Sequence, residues 1–349
     1  MPTRFASRQA RIWAALGVVY VVWSTTYLAI RVVDETLPAL LAAGVRFVVA
    51  GLALYAWAVR RGDRRGDRPG LPQWRAAAIV GAALVLGGNG MVALAERTVP
   101  SGLAALLIAL VPLWMALIDR VVLRRRVSAR VTVGVVVGFF GAALLVGGNA
   151  LRGGVPLGGM ALLVFASLSW ASGSLYSRNA PLPRRPLVAA GMEFLLGGGM
   201  LIGVALVTGE LGRIHPDRFS TASLVALAYL VVVGSWIAFS SYLWLLRNAR
   251  TSLVSTYAYV NPAVAVFLGW LFLGEPVGPR TFVAGGVILA AVGLIISAGG
   301  AAREDVSPGR DEGRPEVETE LQLQGMGRPE QDLLTKDGGG ELHADREPA

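Results

Sequence analysis

Ten apolar stretches, each long enough to cross a bilayer as a helix, are the feature that most constrains what this chain can fold into. A hydrocarbon layer of roughly 30 Å takes about 20 apolar residues in a helix, which satisfies its own backbone polar groups there. The sequence therefore predicts an all-α integral membrane protein. The predicted spans are residues 12–30, 38–59, 75–95, 101–122, 130–148, 157–177, 187–208, 223–246, 252–273 and 279–298.

Arginine is distributed unequally between the two sets of loops. Nineteen arginines lie at the amino terminus and in the loops on its side of the membrane, against six on the opposite side. Because positively charged loops stay in the cytoplasm, both termini are predicted to be cytoplasmic. Residues 1–11 form the predicted amino-terminal segment. Residues 299–349, with 13 acidic and 6 basic residues and no aromatic, are predicted to form a disordered acidic tail.

Residue types that enzymes and cofactor sites need are missing from the predicted spans. The chain has no cysteine, and its two histidines, His215 and His343, fall in a loop and in the tail. The one lysine, Lys336, is not preceded by the glycines of a phosphate-binding loop. The spans contain no histidine and no acidic pair, which argues against an intramembrane hydrolase. The sequence predicts no catalytic residue, no metal site and no cofactor, and topology explains the basic charge without nucleic-acid binding.

An internal repeat divides the chain into two halves. Residues 43–47, AGVRF, match residues 190–194, AGMEF, at an offset of 147, and Trp23 matches Trp170 at the same offset. Five spans per repeat is an odd number, so the second copy must enter the membrane from the opposite face. The sequence thus predicts two inverted five-helix repeats, residues 12–148 and 157–298, which is the organisation of a secondary transporter.

The same segments resemble the EamA-type exporters of the drug/metabolite transporter superfamily. Residues 23–31, WSTTYLAIR, are similar to the family's opening pattern, and residues 46–47 and 273–275 are similar to two further signatures. The resemblance covers about residues 12–298. Residues 124–126, three arginines, replace the glycine–glutamate pair in the first half. A helix-end role is therefore the favoured interpretation of the second-half glutamate, Glu275.

The resemblance implies a basket of ten helices around a central cavity, in the cytoplasmic membrane. It also implies export of small organic solutes, such as amino acids, metabolites or drugs, without ATP. The predicted partners are a small-molecule substrate and the lipid bilayer, and a homodimer is compatible with the sequence. A passive facilitator or channel, or a lipid-handling protein of the same fold, stays open as an alternative, since nothing in the sequence shows coupling to an ion gradient.

Polar and aromatic side chains near the middle of the spans are the candidate substrate-binding residues. An amide or indole group is costly in hydrocarbon unless it bonds a partner, so a polar cavity is its natural environment. Helix packing is the competing explanation for the tryptophans, and bonding between helices for the asparagines. The candidates are Trp23, Tyr27, Arg46, Asn89, Trp170, Glu193, Tyr257 and Asn261.

Two of these candidates, Arg46 and Glu193, are predicted to be the only ionised residues deep in the spans. They approach the midplane from opposite faces, so a direct ion pair requires the two side chains to reach toward each other. Three interpretations follow: a static pair, a glutamate that carries a proton, or two charges that each bond carbonyl groups or reach toward an interface for stability.

Overall fold

The computed structural model describes residues 2–61, 69–122, 124, 128–151, 155–249, 251–254 and 256–304, all within one compact unit, Met1–Asp305. Over these ranges the secondary structure is helical and contains no strand. The last helix continues past residue 298 to Glu304, and the rest of the predicted tail lies outside the described residues.

The long helices follow one another through short connections. They are α1 (Pro2–Asp34), α2 (Ala39–Arg60), α3 (Leu71–Glu96), α4 (Ser101–Val121), α5 (Ala129–Leu151), α6 (Leu157–Ser177), α7 (Pro186–Val207), α8 (Thr221–Tyr229, continued by Leu230–Ile237 and Ala238–Asn248), α9 (Tyr257–Leu273) and α10 (Pro279–Glu304). Short helical turns, Glu210–Arg213 and Pro216–Arg218, connect α7 to α8, and Thr251–Val254 precedes α9.

Seven of these helices are long and apolar enough to cross a membrane, counted over the described residues. They are α1 to α4 and α6 to α8. Three shorter apolar helices, Ala129–Leu144, Val260–Leu273 and Pro279–Ile295, coincide with the predicted fifth, ninth and tenth spans. Prolines stand before the first residue of α2, α4 and α6, where a fixed φ and a missing N–H suit a helix start.

Helices α2 and α7 pack backbone against backbone through paired glycines. A methyl group at Gly44 would lie 3.0 Å from the carbonyl oxygen of Gly198, and one at Gly51 would lie 3.0 Å from that of Gly191. By the repeat offset, Gly44 corresponds to Gly191 and Gly51 to Gly198. The first glycine of each half therefore packs against the second glycine of the other half. This reciprocal pattern is the one a two-fold interface produces.

Phenylalanine rings meet beside this glycine crossing. Phe47 and Phe194 are themselves repeat equivalents, and their rings pack edge to face with centroids 5.1 Å apart. Both side chains are buried. A contact between two equivalent residues is expected close to an axis that relates the halves, so this pair marks the centre of the α2–α7 crossing.

A π-helical segment interrupts α3 at Ala82–Gly90 and another interrupts α8 at Leu230–Ile237. The two segments occupy nearly the same position in the two halves. π-helical turns occur mostly as local bulges, often at functional sites, because they leave backbone carbonyls without their usual partners. In α3, Asn89 Nδ2 donates to the carbonyl of Leu84 at 3.0 Å, and Ser169 Oγ donates to that of Ala83 at 2.8 Å.

Glutamates from the second half cap two helices of the first half. Glu275, just after α9, accepts hydrogen bonds from the backbone N–H of Ser101 at 2.7 Å and of Gly102 at 3.1 Å. Glu210, after α7, accepts one from the N–H of Leu41 at 2.9 Å. A carboxylate on the free N–H groups of a helix start is a favourable cap. Glu275 therefore has the predicted helix-end role.

We expect Glu275→Ala to destabilise the fold by about 1–3 kcal/mol, because two charge-assisted hydrogen bonds at the start of α4 are lost. Glu275→Gln keeps the shape and should cost less. The measurement is thermal unfolding of the purified protein in detergent. Glu35→Ala, at an exposed position in the α1–α2 connection, is the control. An unchanged unfolding temperature for Glu275→Ala would contradict a capping role.

Candidate functional site

A narrow cavity lies between α1, α2, α3 and α8. Its polar lining consists of Asp34, Arg46 and Asn89, and the remaining lining residues are apolar. Its volume is about 10 Å³, about the minimum that holds one water molecule. A few convergent polar groups in an apolar wall are typical of a site for a small molecule. The cavity is nearly closed and must widen to admit an organic solute.

Arg46 is held in place from two sides. The side chain is 6% exposed, its Nε donates to Ser235 Oγ at 2.9 Å, and its Cζ lies 4.7 Å from the centroid of the Phe47 ring. Ser235 belongs to the π-helical segment of α8. Among the described residues, the hydrogen bond of Arg46 uses only Nε, so the two terminal nitrogens of the guanidinium can bind an anionic group.

A static ion pair between Arg46 and Glu193 does not form in this conformation. Among the described residues, the Glu193 carboxyl has no hydrogen bond or ion pair, and its side chain is 8% exposed. The physical reason is direction: Arg46 turns toward α8 and Ser235, whereas Glu193 lies on α7 where that helix packs against Gly81 of α3. Arg46 lies within electrostatic range of Glu96, but among the described residues the Glu96 carboxyl has no hydrogen-bond partner.

Trp23 and Tyr257, two of the predicted site residues, belong to one aromatic cluster. The ring centroid of Trp23 lies 5.1 Å from that of Tyr257 and 5.0 Å from that of Tyr242. Tyr242 and Tyr257 are themselves 5.7 Å apart, edge to face. These rings pack α1, α8 and α9 together. In this conformation Trp23 therefore takes part in helix packing, which was the alternative to substrate binding for the tryptophans.

The aromatic cluster extends to the arginine of the cavity. Tyr242 contacts Phe239 with centroids 6.3 Å apart, and Phe239 contacts Phe194 at 5.0 Å. Phe194 meets Phe47, over which Arg46 lies. A continuous row of rings therefore connects the Trp23 cluster to the cavity. Phe47 and Phe194 belong to the repeated segments of the sequence, whereas Phe239 carries no signal there, because an apolar residue is expected in an apolar span.

The remaining predicted site residues lie in different surroundings. Trp170 packs on Gly88, next to Asn89, and a methyl group at Gly88 would lie 2.9 Å from its Cε3 atom. Tyr27 is partly buried and lies near enough to Glu96 to interact with its charge. Asn261 is 6% exposed, and its Oδ1 has no hydrogen-bond partner among the described residues. The structure thus brings Arg46 and Asn89 to one cavity and leaves Glu193 and Asn261 outside its lining.

Two acidic residues were not predicted from the sequence: Asp34, which belongs to the site, and Glu96, which does not line the cavity. Glu96 is 0% exposed, and Asp34 lines the cavity. Neither carboxyl has a hydrogen-bond partner among the described residues. Arg46 and Glu193 are therefore not the only buried charges, and the two carboxyls lie close enough to interact. Both residues stand at the ends of helices, where a charge normally reaches water, and this position concealed them. The adjacent arginines, Arg31 and Arg97, were the available signal.

These observations define a class of protein: a multi-pass helical membrane protein with a polar site between its helices. Residues 11–147 and 157–297 each match the EamA-like transporter family. The chain belongs to this family, within the drug/metabolite transporter superfamily, and the predicted recognition is confirmed. It is a transporter of the cytoplasmic membrane and not an enzyme.

The relatives agree with this assignment. The chain is 38% identical over 287 residues to the uncharacterized inner membrane transporter YedA of Escherichia coli, covering 81% of this chain and 90% of YedA. It is 28% identical over 281 residues to the protein PecM of Dickeya dadantii, covering 79% and 88% of the two chains. A crystal structure of a protein, 19% identical, aligns with a TM-score of 0.57 over 85% of this chain and 99% of that one, which supports the fold.

Proposed function

We propose that this protein is a secondary transporter that exports small organic solutes across the cytoplasmic membrane by alternating access. In this proposal the three shorter apolar helices complete a set of ten spans, arranged as two inverted five-helix repeats. Both termini are cytoplasmic, as the arginine distribution favours. An exchange of conformation between two similar halves opens a central site first to one side of the membrane and then to the other.

Three observations support inverted halves. The family matches the chain twice, over residues 11–147 and 157–297. The glycines of α2 and α7 contact each other reciprocally. The π-helical segments of α3 and α8 recur at nearly the same position of each half. Sequence similarity, helix contacts and backbone geometry thus all relate the first half of the chain to the second.

The observation that carries the proposed substrate is the lining of the cavity. Asp34 and Arg46 bring opposite charges to one small space, Asn89 adds an amide, and the other walls are apolar. A solute with an ammonium group, a carboxylate and a small apolar part complements all of these groups. We therefore favour zwitterionic solutes of the amino-acid type among the candidate substrates. The ammonium group would face Asp34 and the carboxylate would face Arg46.

A matched triplet of ligands tests this proposal. The purified protein is heated with L-phenylalanine, with 2-phenylethylamine, which lacks the carboxylate, and with 3-phenylpropionate, which lacks the ammonium group. We expect only the zwitterion to raise the unfolding temperature, because only it has a partner for both Asp34 and Arg46. A bound ligand stabilises the fold by about 2.7 kcal/mol at a hundred times its Kd. Equal stabilisation by the amine or the acid would contradict a two-charge site. A second triplet built on leucine checks the size of the apolar part.

Transport itself separates the carrier from the alternatives. Liposomes that contain the protein and are preloaded with unlabelled L-phenylalanine should take up the labelled solute by counterflow and saturate with concentration. A passive channel would give flux that does not saturate and no counterflow. A lipid-handling protein would show neither and would instead move a labelled lipid between leaflets.

A further inference from the structure

The Glu96 carboxyl is enclosed by protein at the end of α3. It is 0% exposed, and neither of its oxygens has a hydrogen-bond partner among the described residues. An ionised carboxylate in such a place is costly unless a cation or several donors compensate it. Arg31 reaches the main chain of Glu96 and not its carboxyl: Arg31 Nη1 donates to the main-chain carbonyl of Glu96.

Charged and titratable groups face this carboxyl from several elements. The electrostatic partners of Glu96 itself are Arg31 and Asp34 on α1, Arg46 on α2 and Glu275 after α9, and Tyr27 on α1 interacts with its charge. Asp34 interacts in turn with Arg31, Arg97 and Glu210. Two arginines and two acids are therefore within electrostatic range of the carboxyl, and among the described residues none of them forms a hydrogen bond with it.

Two of these partners belong to the cavity. Asp34 and Arg46 line it, whereas Glu96 does not. Glu96 thus lies outside the cavity lining, fully buried, and within electrostatic range of both ionisable groups that a solute would contact. A change of charge on Glu96 changes the field at the cavity, and a solute bound between Asp34 and Arg46 changes the field at Glu96.

We propose that Glu96 is a proton-binding site that couples solute movement to a proton gradient. The inference rests on the proposed transport function. In the conformation described, the carboxyl holds a proton as an O–H group. When the cavity opens, the proton leaves to water, and the resulting carboxylate gains the Arg31 or Arg46 guanidinium as a partner. The proton is the only species gained or lost in this step. Asp34, which binds the solute in the proposed function, links this step to the solute through its electrostatic interaction with Glu96.

Infrared difference spectroscopy tests proton binding without any solute. The full-length protein is taken between acidic and alkaline pH, and the C=O stretching band of a protonated carboxyl is identified by its shift in D₂O. We expect Glu96→Gln to remove one pH-dependent component of this band, with Glu35→Gln, at an exposed position, as the control. Asp34→Asn should keep that component but change the pH at which it appears. The inference is overturned if Glu96→Gln leaves the band intact and Glu193→Gln removes it.

Liposomes test the coupling. We expect Glu96→Gln to keep L-phenylalanine counterflow but to reduce accumulation driven by a pH gradient roughly tenfold or more. If wild-type protein gives no counterflow, the proposed function fails, and the infrared result still decides whether Glu96 binds a proton. If wild-type counterflow occurs but Glu96→Gln still concentrates the solute on a pH gradient, the coupling role alone is wrong. Accumulation driven by a sodium gradient at equal pH would also overturn it.

Discussion

Replacing Gly198 with leucine is expected to prevent α2 and α7 from packing and to leave little folded protein. A Cβ atom at Gly198 would lie 2.8 Å from the backbone nitrogen of Val48 and 3.0 Å from the carbonyl oxygen of Gly44. Backbone atoms cannot move aside as the end of a flexible side chain can. We expect a loss of more than about 3 kcal/mol, at the upper end of overpacking costs. The yield of monodisperse protein and its unfolding temperature are the measurements.

Gly199→Leu is the matched control on the same helix. Nothing lies within 4 Å of a Cβ atom at this position. Leucine is the better helix former by about 1 kcal/mol, so this variant should fold at least as well as the wild type. Gly44→Leu, from the partner helix, should behave like Gly198→Leu. Equal stability of Gly198→Leu and Gly199→Leu would show that the α2–α7 crossing is looser than the contacts indicate.

Arg46→Ala should have the largest effect on transport. The change removes the positive group of the cavity together with its bond to Ser235 and its contact with the Phe47 ring. Loss of a charged hydrogen-bonding group costs about 1.5–3 kcal/mol, so the apparent affinity for L-phenylalanine should fall roughly ten- to hundredfold. The preference for the zwitterion over 2-phenylethylamine should disappear as well. Counterflow in liposomes, with both solutes as competitors, measures the two quantities.

Three variants separate binding from folding in this test. Arg46→Lys keeps the charge but loses the planar fork and the Nε donor, and should give an intermediate affinity. Ser235→Ala releases the anchor and should weaken binding less than Arg46→Ala does. Arg61→Ala removes a similar arginine–aromatic contact, 4.9 Å over Trp57 at the end of α2, and should transport like the wild type. If Arg46→Ala retains the zwitterion preference, Arg46 does not meet the carboxylate.

Much of the fold could be predicted from the sequence because the bilayer imposes strong rules. Apolar length places the helices, and the predicted second span, 38–59, differs little from Ala39–Arg60. The repeated AGVRF and AGMEF segments, from which the repeat was predicted, lie on the two helices that cross, but the crossing itself was not predicted. The π-helical segments could not be predicted, because no residue pattern distinguishes them from ordinary helix. They depend on contacts such as that of Ser169 with Ala83.

The candidate site was predicted only in part. Arg46 and Asn89 stood out because polar groups in hydrocarbon need a partner, and they share the cavity. Asp34 and Glu96 were overlooked because a residue at the end of an apolar stretch is expected to be exposed to water. In the structure, Glu210 and Glu275 cap the starts of α2 and α4, the helices that follow Asp34 and Glu96 in the chain. Burial there depends on other parts of the chain, which no local window of sequence contains.

The reciprocal glycines have an energetic consequence for how such a protein switches. In the proposed exchange of conformation between the two halves, the Gly44–Gly198 and Gly51–Gly191 contacts map onto each other. The α2–α7 crossing therefore contributes equally to the free energies of the two end states and favours neither of them. A difference in free energy between the two end states therefore has to come from residues that the repeat does not duplicate. The repeat equivalent of Arg46 is a glutamate, Glu193, and the repeat equivalent of Glu96 is a leucine, Leu243. These unmatched charges make the two end states unequal in free energy.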